Sequence, residues 1–129
     1  MNGSFLLDTN VVIAIFAQDA AVHQRLAEAS EAFVPSIVLG ELYYGARKST
    51  RVQSNVEIVD RFAAASRVLA CDSITAQHYG RFKNLLREKG PPIPENDIWI
   101  AAITEQHQLT LVSRDAHFNE IEGLPVESW

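Results

Sequence analysis

The chain has a single cysteine, Cys71, so no disulfide closes within it and no cysteine-rich zinc site can form. A reduced, cytoplasmic setting is the expectation. An excess of positive charge is missing too. Eleven Lys and Arg stand against 16 Asp and Glu, and the formal net charge of −5 excludes a generally basic binder whose affinity comes from phosphate neutralisation. The apolar block Val11 to Ala17 falls far short of a membrane span and no basic segment precedes it, so neither a membrane segment nor a targeting leader is expected. The histidines His23, His78, His107 and His117 show no paired ligand spacing and read as surface or packing residues. Repeats, low-complexity tracts and linkers are absent. With 129 residues at 47% hydrophobic content there is enough for one core and no room for a second, so a single domain over residues 1–129 is expected.

What is present is organised around Phe5-Leu6-Leu7-Asp8-Thr9-Asn10. A short apolar run that stops at an acid delivers a carboxylate to the end of a strand. The block from Val11 then continues as a helix capped by Thr9 or Asn10. In an open parallel sheet ligands collect beyond the carboxyl ends of the strands, which gives Asp8 a site to face. Otherwise Asp8 is only a turn or capping residue, the common case for an Asp after a strand.

Further along, Asp19 caps a helix to about Ser30, with Val22, Leu26 and Ala29 on one face. Ala32-Phe33-Val34 is a buried strand, and Pro35 and Ser36 lead into a helix from Ile37 to about Lys48. Leu39, Leu42, Tyr43 and Ala46 are its core face, with Glu41 beside the stripe. Gly45 marks a close backbone approach or an early helix end. A long helix over Val52 to Val68 and a strand at Leu69-Ala70-Cys71 follow. Next comes a helix from Ser73 to Lys89 that turns Ala76, Tyr79, Phe82 and Leu86 inward, and Gly90-Pro91-Pro92-Ile93-Pro94 ends it. Asn96-Asp97 opens a central helix that is apolar nearly all round. Leu109 to Ser113 is a strand ending at Arg114-Asp115, and Val126 belongs to a last edge strand. Core packing is expected for Trp99 and tail docking for Trp129.

Charge is distributed unevenly. Between Gly45 and Gly90 nine Lys and Arg face four acids, so a basic middle lies between acidic ends. Arg47, Lys48, Arg81, Lys83 and Arg87 are therefore candidates for phosphate contact, with plain helix exposure as the alternative.

Asp8 and Asp115 each follow a strand, Glu41 lies one turn into a helix, and Asp97 begins another. A right-handed parallel α/β arrangement can bring all four to one end of the sheet. Four carboxylates in one cleft repel unless cations join them, and hard oxygen donors select Mg²⁺ or Mn²⁺ over zinc. Such ions activate water and stabilise a leaving oxygen in phosphodiester hydrolysis.

Leu7-Asp8-Thr9-Asn10, Gly40-Glu41-Leu42-Tyr43-Tyr44-Gly45-Ala46, Pro94 to Ala102 and Leu111-Val112-Ser113-Arg114-Asp115 together resemble the successive motifs of PIN-domain ribonucleases. The tail Gly123 to Trp129 resembles the ending of that family's VapC-type toxins. By this resemblance Asp8, Glu41, Asp97 and Asp115 are a catalytic, metal-holding acidic quartet, and Ser113 is a hydroxyl beside it. Asn10 and Asn96 orient carboxylates from outside the ligand set, or Asn10 is simply a helix cap.

The resemblance implies a three-layer α/β/α domain with a central, mainly parallel sheet of four to five short strands. It also implies a Mg²⁺- or Mn²⁺-dependent endoribonuclease, the toxin of a type II toxin–antitoxin pair, with RNA as substrate, a homodimeric state and a cognate VapB-like antitoxin. Two other functions stay open at this point. One is a haloacid-dehalogenase-like phosphatase with Asp8 as nucleophile, although Asn10 stands where that chemistry wants a second acid. The other is a catalytically silent PIN module that only binds.

Overall fold

In the computed structural model, residues 3–90 and 92–129 are described. Short apolar runs alternate with helical stretches, and this pattern builds a three-layer α/β/α arrangement. The elements are β1 (Ser4–Leu7), α1 (Thr9–Phe16), α2 (Ala20–Glu28), β2 (Glu31–Pro35), α3 (Ser36–Arg47), α4 (Val52–Ala65), β3 (Arg67–Leu69), α5 (Ser73–Lys89), α6 (Glu95–Gln106), β4 (Thr110–Val112) and β5 (Val126–Glu127). A 3₁₀ turn, Ala116–Glu120, separates the last two strands. The strand order is β3-β2-β1-β4-β5 and every pairing is parallel. From β1 the chain builds outward first to one side, through β2 and β3, and then to the other, through β4 and β5. The carboxyl end of β1 is therefore the topological switch point, where a crevice opens between oppositely directed connections.

Phe5, Leu6 and Leu7 are all buried, as a strand covered on both faces requires. The helix α6 buries an unbroken run from Ile100 to Thr104, which matches its nearly all-round apolar sequence. Thr104 is accommodated because its hydroxyl donates to the Ile100 carbonyl at 2.8 Å. Trp129 docks the tail, packing edge-on against Phe5 with ring centroids 5.1 Å apart. No helix of the described residues is long and apolar enough to cross a membrane.

Several boundaries differ from those expected. Asp8, not Thr9 or Asn10, caps α1. The helix α4 stops at Ala65 and the strand begins at Arg67, so β3 lies two residues earlier than Leu69-Ala70-Cys71 and ends before Cys71. The β-branched Val68 continued the helical pattern by chance; at the sheet edge it is 40% exposed. In α5 the buried residue of the first turn is Thr75, and Ala76 is exposed, because the Asp72 capping box turns Thr75 inward. In α3 Val38 joins Leu42 and Ala46 in the core, while Leu39 and Tyr43 are only half-buried. Gly45 marks neither a close approach nor a helix end: α3 runs on to Arg47, and an added Cβ would meet nothing within 4 Å. Trp99 is half-buried and stacks on Tyr79, with centroids 4.0 Å apart and planes at 13°. Within the loop expected to end α5, Gly90 takes φ 135°, and Pro91 lies outside the described residues.

Candidate metal centre and nuclease site

The sheet delivers an acid and a hydroxyl side by side. β1 and β4 pair with Leu7 opposite Val112, so Asp8 and Ser113 leave adjacent strands at the same level. The Ser113 hydroxyl donates to Asp8 Oδ2 at 2.7 Å, and the Thr9 N–H donates to Oδ1 at 2.8 Å. Asn10 Nδ2 contacts the same Oδ2 at 3.3 Å and Ser113 Oγ at 3.4 Å, while its Oδ1 accepts from the Arg114 N–H at 3.1 Å. Asn10 thus ties the β1 end to the β4 end. Asp8 is buried, and that burial raises its pKa above the usual carboxylate value despite the Ser113 and Thr9 hydrogen bonds; Glu41 and Asp115 add to the rise.

The other acids arrive from the middle of α3, the first turn of α6 and the turn after β4. Glu41, on α3, accepts from the Thr9 hydroxyl at 2.6 Å. Asp115 caps the 3₁₀ turn: its N–H donates to Ser113 Oγ at 3.0 Å, and its Oδ1 accepts from the His117 N–H at 3.0 Å. Asp97 lies in the first turn of α6, where the helix dipole favours an anion. Even so, burial first and then the charges of Asp8, Asp115 and Glu41 push its pKa up to about 6. The charges of the other three acids expected from the sequence thus all reach Asp97.

The tightest grouping is Asp97, Asp115 and His117, whose donor atoms all lie within 4.8 Å of one another. His117 Nδ1 is 2.8 Å from Asp115 Oδ1 and 3.8 Å from Asp97 Oδ2. Asp97 Oδ2 is buried without a hydrogen-bond partner among the described residues. A buried carboxylate oxygen with no donor, facing other acids, fits a hard divalent cation better than any neutral partner. His117, expected as a surface or packing residue, is indeed exposed, and its ring also stands against Asp115 and Asp97, a placement not expected from the sequence. The missed signal is local: an Asp that caps a turn brings the residue two positions on against its own carboxylate.

The basic candidates separate. Arg81 pairs with Glu105 and Lys83 with Glu95, and Arg87 donates to Asn84 at 3.2 Å, so these α5 cations are engaged by neighbouring side chains. Arg47 is exposed. Lys48 alone lines a cleft with a site acid, an open space of about 630 Å³ bordered also by Glu41, Tyr44 and Asn96. Asn96 is exposed and makes no hydrogen bond to a site carboxylate among the described residues.

Residues 5–124 match the profile of the family described as the PIN domain. The chain belongs to the PIN-domain family. It is closely related to the VapC-family ribonuclease toxins of toxin–antitoxin systems. It is 34% identical over 128 residues to ribonuclease VapC2 of Haemophilus influenzae, with 97% of each chain covered. It is 33% identical, with the same coverage, to the tRNA(fMet)-specific endonuclease VapC of Salmonella typhimurium. The crystal structure of DNA-bound VapBC from Salmonella typhimurium superposes with a TM-score of 0.90 at 32% identity, covering 100% of this PIN chain and 99% of that one. The phosphatase reading is left without support.

Proposed function

We propose that this PIN protein is a single-domain, Mg²⁺- or Mn²⁺-dependent endoribonuclease, acting in the cytoplasm as the toxin of a type II toxin–antitoxin pair. The observation that carries the metal dependence is Asp97 Oδ2, buried and unpartnered beside Asp115 and His117. In this reading Asp8, Glu41, Asp97 and Asp115 hold the ion or ions. A divalent ion bound there supplies the Lewis acidity for hydrolysing an RNA phosphodiester. Ser113 and Asn10 fix the Asp8 carboxylate from two sides, and Thr9 holds Glu41, so the donors are oriented before substrate arrives. Lys48 offers a cation to a phosphate entering the cleft beside Glu41.

Substrate and partners follow the relatives. A relative that carries tRNA(fMet) in its name makes transfer RNA the first substrate to test. A solved relative in complex with its VapB supports a cognate VapB-like antitoxin, and a homodimer is the expected free form. The test is cleavage-site mapping on total RNA and on initiator tRNA, with wild type and Asp8→Asn in parallel and with either Mg²⁺ or Mn²⁺. Discrete metal-dependent cuts by wild type alone support the reading. Equal cutting by both proteins overturns it, and no cutting by either returns the silent binding module.

A further inference from the structure

The acidic quartet is an all-oxygen donor set, but the grouping that the fold draws tightest includes an imidazole. Asp97, Asp115 and His117 have donor atoms within 4.8 Å of one another. Around an ion with bonds of about 2.0–2.2 Å, adjacent octahedral donors sit about 3 Å apart and opposed ones about 4.3 Å apart. From His117 Nδ1, the 2.8 Å to Asp115 Oδ1 is close to the adjacent separation and the 3.8 Å to Asp97 Oδ2 lies between the two, so shifts of a few tenths of an ångström in these side chains bring the three donors into one coordination shell. A second observation points the same way: Asp97 is 7% exposed and its Oδ2, the oxygen nearest the imidazole, has no hydrogen-bond partner among the described residues. The turn also brings the residue to the acids: the His117 backbone N–H donates to Asp115 Oδ1 at 3.0 Å, which fixes the main chain from which the imidazole reaches the same carboxylate.

We infer that His117 is a direct metal ligand through Nδ1, and that it makes this centre prefer Mn²⁺ to Mg²⁺. Carboxylates alone serve Mg²⁺ well, whereas an imidazole nitrogen suits first-row transition ions, whose affinities for mixed nitrogen and oxygen sites exceed that of Mg²⁺. The inference rests on the proposed metal-holding role of the acids. Its alternative is that His117 only bonds Asp115 from outside the shell.

The test uses the full chain as wild type, His117→Gln and Asp97→Asn, with Mn²⁺ and Mg²⁺ as the probes. Pulsed EPR of the Mn²⁺ complex is expected to show nitrogen coupling in wild type, to change its pattern with ¹⁵N-histidine labelling, and to lose it in His117→Gln. Calorimetric titration is expected to show the Mn²⁺-over-Mg²⁺ preference falling about tenfold or more in His117→Gln, mainly through weaker Mn²⁺ binding. Absence of nitrogen coupling in wild type, or an unchanged preference in the variant, overturns the inference while leaving the acidic site intact. Should His117→Gln fail to fold, the labelled wild-type spectrum alone decides. Failure of wild type to bind Mn²⁺, or unaltered binding by Asp97→Asn, brings down the underlying metal reading and the inference with it.

Discussion

Two aspartates open helices in this fold and meet opposite fates. Asp72 caps α5 and accepts from the N–H groups of Ile74 and Thr75, each at 3.0 Å, from the Thr75 hydroxyl and from Gln106 Nε2, also at 3.0 Å. Those donors, led by the Thr75 N–H, hold its carboxyl below the usual value. Asp8 caps α1 at the switch point, where burial and neighbouring acids leave its carboxyl above that value. The residue type and helix position are the same. Both accept hydrogen bonds, but only the second is buried and set among other acids. Local capping chemistry therefore says nothing by itself about function; the surrounding charge decides.

The strongest way to break this contrast is substitution at the frustrated end. Asp97→Asn is expected to reduce RNA cleavage by more than the roughly 10–100-fold typical of losing an outer partner of a metal ligand. In metal-free buffer the same variant should be more stable than wild type by up to about 3 kcal/mol at pH 7, because a buried carboxylate with a raised pKa no longer has to ionise. Asp72→Ala should do the reverse, cutting RNA at the wild-type rate while melting several degrees lower, because it removes the acceptor of the Ile74 and Thr75 N–H groups. Cleavage assays and thermal melts of both variants check this, and a pair that lose activity equally would erase the distinction.

Much of this contrast was legible in the sequence. Asp8 and Asp115 follow strands, Asp97 opens a helix and Glu41 lies within the helix that leaves β2, and topology carries such positions toward one end of a parallel sheet. The mainly parallel sheet and the docked Trp129 were also legible, the first through the family resemblance, whereas the strand order was not. What escaped was set by tertiary context. Val68 fits a helical stripe as well as a strand, and only pairing with Val34 decides. His117 carries a local signal only toward Asp115; its approach to Asp97 depends on how the 3₁₀ turn and α6 are placed together. The pairing of Arg81 and Lys83 with α6 acids likewise needs the α5 and α6 packing to be known.

The two ends should also respond to pH with opposite sign. Asp97 has a folded pKa raised from 3.8 to about 6, so its contribution to metal-free stability is full below 3.8 and is lost as pH rises through 6. Asp72 has a folded pKa depressed below 3.8, so its contribution is present above that value and is lost only as pH falls further. Between pH 4 and 6 the chelated wild type should therefore lose stability with rising pH relative to Asp97→Asn, and Asp72→Ala should keep the wild-type slope. Denaturant titrations across that window measure it. Saturating Mn²⁺ should remove the downward slope. An ion that binds only the folded state adds about 2.7 kcal/mol at a hundredfold excess over its Kd.

The smallest expected effect concerns the cations. Lys48 shares a cleft with Glu41, whereas Arg81 and Lys83 are bonded to acids of α6. A phosphate contact releases counterions, so each one lost from a single-stranded substrate lowers the slope of log binding against log salt by about 0.7. Lys48→Ala should raise KM a few-fold at low salt, flatten the salt dependence by about that amount and leave kcat unchanged, because the lysine attracts the backbone without touching the reacting bond. Arg81→Ala and Lys83→Ala should change neither quantity, since those side chains are held by Glu105 and Glu95 and exposed pairs contribute little to stability. Steady-state cleavage of one RNA across a salt series separates the two groups. Equal flattening by all three variants would mean that α5 also meets the substrate and that its ion pairs open when RNA binds.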